Sequence, residues 1–180
     1  MKRAALPVVL VLALVAAGMA RGRAEPEVVR ILVERPSGTP ERATGFVRDG
    51  RVVTVAHVLA GGAVTVSGRS ARVARVDRGA DLAALEARIE GKRVGGAGVR
   101  VLRVSGPVAA SVRRRITAHL DGAARPALEI RARIGPGDSG APVVDGRGRL
   151  LGVVFARSRT RDDIAYAVDA DAVRSLLAAH

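Results

Sequence analysis

Residues 45–55 read Gly-Phe-Val-Arg-Asp-Gly-Arg-Val-Val-Thr-Val, two apolar runs separated by a polar turn that contains an Asp-Gly pair. An Asp-Gly pair between two such runs is a strong signal for a two-residue β-hairpin, because both residues tolerate the positive φ that this turn requires. The second run continues into Ala56 and His57, which puts a histidine at the end of an apolar strand. The stretch therefore predicts antiparallel β structure.

Short strand-like segments continue on both sides of this hairpin, several with the alternation of apolar and polar residues that is typical of strands. They lie at 28–33, 64–66, 71–76, 82–85, 99–104, 112–118, 127–134, 142–144, 150–155 and 166–168. The Ala-rich segment at 82–89 could form a helix, but its shortness and flanking turns favour a strand. Gly91 to Gly98 contains four glycines and suits a connector between two halves.

One helix is predicted, at the C-terminal end. Asp169 or Asp171 can cap its first turn, and Val173, Leu176 and Leu177 would form its apolar face. Many short strands and one terminal helix indicate an all-β sandwich or barrel.

The composition excludes several classes of site. The 180 residues include no Cys, so disulfides, thiolate metal sites and a cysteine nucleophile are absent. No metal-ligand spacing and no cofactor motif is found, and neither a metal nor a cofactor is expected. The chain carries 30 Lys+Arg against 17 Asp+Glu, a formal charge of +13.

That charge first suggests a nucleic-acid or anionic-surface partner. The basic residues are nevertheless spread along the chain, and two Phe, one Tyr and no Trp leave few aromatic platforms for bases. No nucleic-acid partner is therefore expected, although an anionic envelope contact stays open. An Arg-rich module for nucleic acid or anionic lipid remains an alternative, and it predicts strongly salt-dependent affinity.

The N-terminal segment is typical of an export signal. Lys2 and Arg3 precede the uncharged stretch 4–20, which ends in the small-residue pattern Gly18-Met19-Ala20. We expect residues 1–20 to be a signal peptide cleaved after Ala20 or, alternatively, a single membrane anchor, followed by a polar spacer at 21–27. Both alternatives place the rest of the chain outside the cytoplasm, either secreted or in the periplasm or cell envelope.

Three motifs carry residues that can act together in catalysis. They are Thr54-Val55-Ala56-His57, Ala80-Asp81-Leu82-Ala83 and Gly137-Asp138-Ser139-Gly140-Ala141-Pro142. Each one alone fits a structural residue or an ordinary turn. Together they provide what a serine nucleophile needs, namely an imidazole that takes its proton and a carboxylate that fixes the imidazole tautomer. The order His57, Asp81, Ser139 matches the chymotrypsin arrangement and differs from the subtilisin and α/β-hydrolase orders.

Other residues are alternatives for these roles. Asp77 is a second candidate carboxylate, four residues before Asp81. His119 has surroundings that resemble those of His57, but it lacks a downstream Asp-Leu-Ala strand. His180 is the last residue of the chain.

The three motifs resemble those of trypsin-like serine peptidases. The likeness is greatest to bacterial envelope members, the protease domains of the HtrA group and of the mycobacterial periplasmic acid-resistance protease. It extends from the Gly45–His57 segment to the Tyr166-Ala167-Val168 ending and covers about residues 28–177. The resemblance implies two six-stranded antiparallel β-barrels, at 28–92 and 93–169, with a short C-terminal helix at 170–179 and the site in the cleft between the barrels.

The resemblance also implies roles for individual residues. Ser139 would be the nucleophile of an endopeptidase that forms an acyl-enzyme, His57 the general base and acid, and Asp81 its orienting carboxylate. The N–H groups of Gly137 and Ser139 would form the oxyanion hole. Protein or peptide substrates and a monomeric enzyme are expected. A catalytically silent barrel that binds peptides or envelope polymers is the alternative.

Some positions depart from the family or concern specificity. Ala141 replaces a second glycine after the serine. Asp138 has no evident activation N-terminus to pair with, and we expect an Arg partner.

Arg133 would lie near the base of the S1 pocket, with Val154, Phe155 and Ala156 as its wall. Because no acidic residue is found there, an apolar P1 residue is expected.

Overall fold

In a computed structural model, the protein is described over residues 25–120 and 122–179. The predicted signal or anchor at 1–20 lies outside the described residues, as do most of the spacer at 21–27 and the alternative base His180. Within the described ranges, no helix combines the length and the apolar character needed to cross a membrane.

The first half of the chain forms a closed antiparallel barrel of six strands. They are β1 (Glu27–Val33), β2 (Glu41–Arg48), β3 (Arg51–Val55), β4 (Val64–Val66), β5 (Arg69–Asp77) and β6 (Leu82–Glu86), arranged around the barrel in the order β1-β2-β3-β6-β5-β4. The β2–β3 hairpin has the predicted turn, in which Asp49 and Gly50 adopt φ of +48° and +74°. The Ala-rich segment is strand β6, as predicted.

The second half forms a sheet of seven strands. They are β7 (Arg100–Arg103), β8 (Gly106–Ala109), β9 (Ser111–Leu120), β10 (Ala123–Arg131), β11 (Pro142–Val144), β12 (Leu150–Arg157) and β13 (Ile164–Asp169), in the order β8-β7-β11-β12-β13-β10-β9. The all-β fold with two halves is confirmed. The second half has one strand more than the six expected, because Gly106–Ala109 pairs with β7 at the edge of the sheet.

Helix α1 (Ala170–Ala178) closes the described chain. Asp169 caps it by accepting a hydrogen bond from the N–H of Asp171 at 3.1 Å. Val173 and Leu176 are buried, whereas Leu177 is partly buried. The helix contacts β12 and β13 of the second half and β5 and β6 of the barrel, so it bridges the two halves.

The main apolar core is shared by both halves. It joins the barrel residues Phe46 and Val55 to Val153 and Phe155 of β12 and to Val173 of α1. Each buried aliphatic or aromatic side chain of this kind stabilises the fold by about 1.5–3 kcal/mol relative to its exposed state. The two halves therefore dock through this shared core, and the second half has in addition a separate apolar cluster around Ile130 and Val154.

Candidate active site

One residue, Ala56, separates the end of β3 from His57, which begins a short 3-10 turn, His57–Leu59. The turn is closed by a hydrogen bond from the N–H of Leu59 to the carbonyl of Ala56 at 3.0 Å. The His57 side chain is 35% exposed. The backbone of the turn is thus held in place, and part of the His57 ring stays accessible from outside.

Asp81 lies immediately before β6 with its backbone in the left-handed region, at φ +55°. Its carbonyl accepts a hydrogen bond from the N–H of Ala56 at 3.0 Å, which ties this turn to the residue before His57. A non-glycine residue in this region is uncommon, and the strain is kept where the surrounding structure over-determines it. The turn thereby directs the buried Asp81 carboxylate at His57.

Two contacts join Asp81 to His57. The His57 backbone N–H donates to Oδ1 at 2.9 Å, and ring atom Nδ1 lies 2.7 Å from Oδ2. An ionised carboxylate can only accept, so Nδ1 carries the proton and the lone pair of the neutral ring is on Nε2. This is the tautomer that a general base requires.

The alternative residues have other surroundings. Asp77 Oδ1 accepts a hydrogen bond from the N–H of Ala80 at 2.9 Å, so Asp77 stabilises the turn that leads to Asp81. His119 is on β9, opposite Ala124 in the register with β10. Neither residue contacts the His57 ring, and the contacts favour Asp81 as the orienting carboxylate.

Ser139 lies in the loop between β10 and β11, in the second half of the chain. Its carbonyl accepts a hydrogen bond from the N–H of Thr44 on β2 at 2.8 Å. The Thr44 hydroxyl donates to the carbonyl of Gly137 at 2.8 Å. The Thr54 hydroxyl, three residues before His57 in the chain, donates to the carbonyl of Thr44 at 2.9 Å. The first two bonds dock the serine loop onto the hairpin that leads to His57, and the third joins the two strands of that hairpin.

Gly140 explains why this docking needs a glycine after the serine. It has φ +86°, and a Cβ here would overlap the Thr44 carbonyl oxygen and the Thr54 hydroxyl. Any larger residue would push the loop away from β2 and β3. The next residue, Ala141, is fully buried, so the methyl group that departs from the family pattern is accommodated.

The backbone around Ser139 leaves two N–H groups available. Gly137 adopts φ +90°, and within residues 25–120 and 122–179 neither the Gly137 N–H nor the Ser139 N–H donates to a protein acceptor. Within the same ranges, no hydrogen bond joins Ser139 Oγ to the His57 ring. Such bonds are often long in enzymes without substrate and tighten when substrate binds.

Asp138 stabilises the loop from within. Its Oδ2 accepts a hydrogen bond from the N–H of Gly135 at 2.8 Å. Arg103 Nη1, from the end of β7, lies 3.7 Å from the same oxygen. An arginine thus stands beside Asp138, as expected.

The residues expected around S1 differ in their surroundings. The backbone of Val154 makes two hydrogen bonds to the serine loop. Its carbonyl accepts from the Gly140 N–H at 2.8 Å, and its N–H donates to the Ala141 carbonyl at 2.9 Å. Phe155 is buried and Ala156 partly buried. Arg133 is exposed, two residues past the end of β10. Its exposure gives no support for a place at the base of an enclosed pocket, and that assignment stays a prediction.

Sequence reasoning did not identify Thr44 and Thr54 as site residues, although both are buried. Polar residues inside two apolar strand runs were the available signal. A third buried polar residue, Arg125, gave no such signal.

Over the described ranges, no three His, Cys, Asp or Glu side chains lie close enough to bind a metal ion together.

Comparison with known proteins gives the family. The active form of the Rv3671c protease from M. tuberculosis superposes with a TM-score of 0.71 at 31% identity, over 86% of this chain and 80% of that one. The chain belongs to the trypsin-like serine proteases. The inactive form of the Rv3671c protease superposes with a TM-score of 0.68 at 31% identity, over 84% and 87% of the two chains.

The HtrA-type protease AlgW, in complex with a tripeptide, has the same fold. Its TM-score is 0.69 at 20% identity, over 86% of this chain and 60% of AlgW. No family model and no curated protein that was compared matches the chain. As a trypsin-like serine protease, the protein is a hydrolase of peptide bonds.

Proposed function

We propose that this trypsin-like serine protease is an exported endopeptidase that works through His57, Asp81 and Ser139 and an acyl-enzyme intermediate. The paired contacts of Asp81 with the backbone N–H and the ring of His57 carry the proposal. The docking of the Ser139 loop on Thr44 supports it, because it holds the serine beside the hairpin that leads to the base.

The first half-reaction follows from these positions. Ser139 Oγ attacks the scissile carbonyl carbon while His57 Nε2 takes the hydroxyl proton, and the Asp81 carboxylate stabilises the resulting imidazolium. The negative charge that develops on the carbonyl oxygen is met by the N–H groups of Gly137 and Ser139. Collapse of the tetrahedral intermediate breaks the C–N bond, and His57 gives its proton to the leaving amine.

The second half-reaction regenerates the enzyme. Water attacks the acyl carbon while His57 Nε2 takes one of its protons. The proton then passes to Ser139 Oγ as the ester bond breaks, which releases the carboxylic acid product. Protein or peptide chains are the substrate class, with an apolar P1 residue expected. AlgW, at 20% identity, has been solved with a tripeptide and with a decapeptide.

Labelling with a fluorophosphonate probe tests the catalytic proposal. The wild type should be labelled at Ser139, and Ser139→Ala should not react. Loss of Ser139 or His57 should lower kcat by a factor on the order of 10⁶. A folded wild type that reacts with no probe would instead favour the silent peptide-binding barrel. Cleavage of a peptide library after Lys or Arg would overturn the expectation of an apolar P1 residue.

Export is tested separately, by expression of the full chain with its N-terminal residues. Mass spectrometry of the protein recovered outside the cytoplasm should give a new N-terminus at Arg21. Recovery of the intact N-terminus in the membrane fraction would indicate the anchor instead. Accumulation of the full chain in the cytoplasm would contradict both forms of the proposal.

A further inference from the structure

Strand β10 carries an arginine whose surroundings differ from those of the surface arginines. Arg125 is 3% exposed, and it lies opposite Ala118 of β9 in the sheet register. Its guanidinium stands over the ring of Phe155, 5.7 Å from the ring centroid. Burial of a guanidinium is costly unless charge partners and π faces compensate for the lost water. Such a position calls for a specific reason.

One compensating contact crosses between the two halves. Arg125 Nη1 lies 3.7 Å from Asp81 Oδ2, and the two side chains are 4% and 6% exposed. Oδ2 is the oxygen that also contacts His57 Nδ1. Because both groups are buried, dissolved salt screens this attraction much less than it screens a surface ion pair.

Among residues 25–120 and 122–179, the other contacts of the Asp81 carboxylate come from His57. The His57 backbone N–H donates to Oδ1, and ring atom Nδ1 of His57 contacts Oδ2. Both residues belong to the first barrel, so these contacts cannot by themselves fix the pair relative to the half that carries Ser139. Arg125 comes from that other half, on the strand that precedes the Ser139 loop.

We propose that Arg125 is a positioning residue, which holds the Asp81 carboxylate from the second half and so aligns the His57–Asp81 pair with Ser139. The inference rests on the proposed function of these three residues. It also makes alignment of the base depend on correct docking of the two halves. An error of about 1 Å in such alignment can cost about 10²-fold in rate.

The competing explanation is packing, in which the Arg125 stem and guanidinium merely fill space beside Phe155. Two substitutions separate the explanations. Arg125→Met keeps most of the length and volume but removes the charge, whereas Arg125→Lys keeps a cation and changes the shape. Arg114→Met is the matched control, because Arg114 is bonded to Glu129 at 2.8 Å on the neighbouring strand and does not contact Asp81.

The experiment measures kcat and KM on a peptide substrate, the rate of fluorophosphonate labelling, and the low-field NMR signal of the proton between His57 Nδ1 and Asp81. Thermal unfolding of each variant verifies that it is folded. Arg125→Met should lower kcat by about 10- to 100-fold with KM little changed, and it should shift or broaden the low-field signal. Arg125→Lys should recover part of kcat, and Arg114→Met should behave as wild type.

Two results would overturn the proposal. One is a folded Arg125→Met variant with wild-type kcat and an unchanged low-field signal. The other is an equal loss of kcat in both Arg125 variants with the signal unchanged, which is the outcome that packing predicts. If Arg125→Met does not fold, Arg125→Lys alone decides, because an unchanged signal with a large loss of kcat again contradicts positioning. If the wild type is not labelled by the probe, the proposed function fails, while the signal still tests the contact.

Discussion

The N–H of Thr44 donates to the carbonyl of Ser139 at 2.8 Å, so the backbone of the candidate nucleophile is itself hydrogen-bonded to a strand of the opposite half. The Thr44 hydroxyl adds a second bond, to the carbonyl of Gly137. The loop that carries Ser139 and the hairpin that leads to His57 are therefore fixed to each other directly. Changes in this contact should affect catalysis without touching a catalytic group.

Thr44→Val keeps the shape of the side chain and removes the bond to Gly137. We expect a loss of about 1 kcal/mol in the free energy of unfolding, the typical net value of one such bond. We also expect kcat to fall with little change in KM. Denaturant unfolding and peptide kinetics measure both effects. Thr65→Val on β4 is the control and should be near neutral; equal behaviour of the two variants would contradict the assigned role.

Of the substitutions that add one methyl group in the site, we expect Gly140→Ala to lower stability and activity the most. The added Cβ overlaps Thr44 and Thr54, and the positive φ adds strain of about 1–3 kcal/mol. Gly50 has a similar φ, +74°, but open space around it, so Gly50→Ala isolates the cost of strain. The melting temperature and the labelling rate should both fall further in Gly140→Ala than in Gly50→Ala. A melting temperature equal to that of Gly50→Ala would exclude the predicted overlap.

Asp81→Asn should lower kcat by about 10⁴-fold, because an amide can donate to the ring and so favours the wrong imidazole tautomer. Asp77→Asn should leave kcat nearly unchanged, since the amide oxygen can still accept the Ala80 N–H. Steady-state kinetics of the two variants distinguish the carboxylates. A larger loss in Asp77→Asn than in Asp81→Asn would reverse the assignment.

Arg103→Met removes the cation beside Asp138 and should loosen the loop that contributes the oxyanion N–H groups. A loss of about tenfold in kcat is expected, well below the 10²–10³ that follows removal of an oxyanion donor itself. Arg131→Met is the control, because Arg131 pairs with Asp163 at 3.1 Å, away from the loop. The rate of fluorophosphonate labelling, measured under conditions in which both variants are fully folded, would detect the difference between Arg103→Met and Arg131→Met. Unchanged labelling of Arg103→Met would show that Gly135 alone holds Asp138.

The turn at Asp145 should make stability depend on pH. Hydrogen bonds from the Arg149 N–H first, then from the Arg149 side chain and the Arg147 N–H, hold the pKa of the Asp145 carboxyl below its usual range. A carboxyl with a lowered folded pKa stabilises the fold above its unfolded pKa, and this contribution is lost as pH falls through the folded pKa.

Asp145→Asn should therefore be less stable than wild type near neutral pH, and the difference should shrink as the pH falls below about 4. The free energy of unfolding, measured from neutral to acid pH, gives the difference at each pH. Asp162→Asn, at an exposed turn position, should show no such trend. A constant difference between wild type and Asp145→Asn over the whole range would contradict the electrostatic explanation.

Local signals predicted much of the fold. The Asp49-Gly50 turn, strand β6 and the Asp169 cap all depend on neighbours in sequence, and each is confirmed. Strand β8 was not predicted, because Gly106 and Pro107 are poor strand residues, and a proline is tolerated at the edge of a sheet.

The site was predicted less completely. Nothing near Thr44, Thr54 or Arg125 in the sequence indicates their partners. The Thr44 hydroxyl bonds to Gly137, 93 residues away, and the Thr54 hydroxyl bonds to Thr44, 10 residues away. Arg125 is also indistinguishable from the surface arginines of a basic chain until the sheet register buries it. The Thr44–Gly137 and Arg125–Asp81 contacts result from docking of the halves, which composition and spacing do not encode.

The core that joins Phe46, Val55, Val153 and Val173 affects how the protein unfolds. Because this core runs from the barrel into β12 and α1, separation of the halves would expose it, although the second sheet also has an apolar cluster of its own around Ile130 and Val154. We expect heat or denaturant to unfold the chain in one cooperative transition. A fragment cut within the connector at 91–98 would expose aliphatic surface and aggregate, so the protein behaves as one folding unit with two architectural halves.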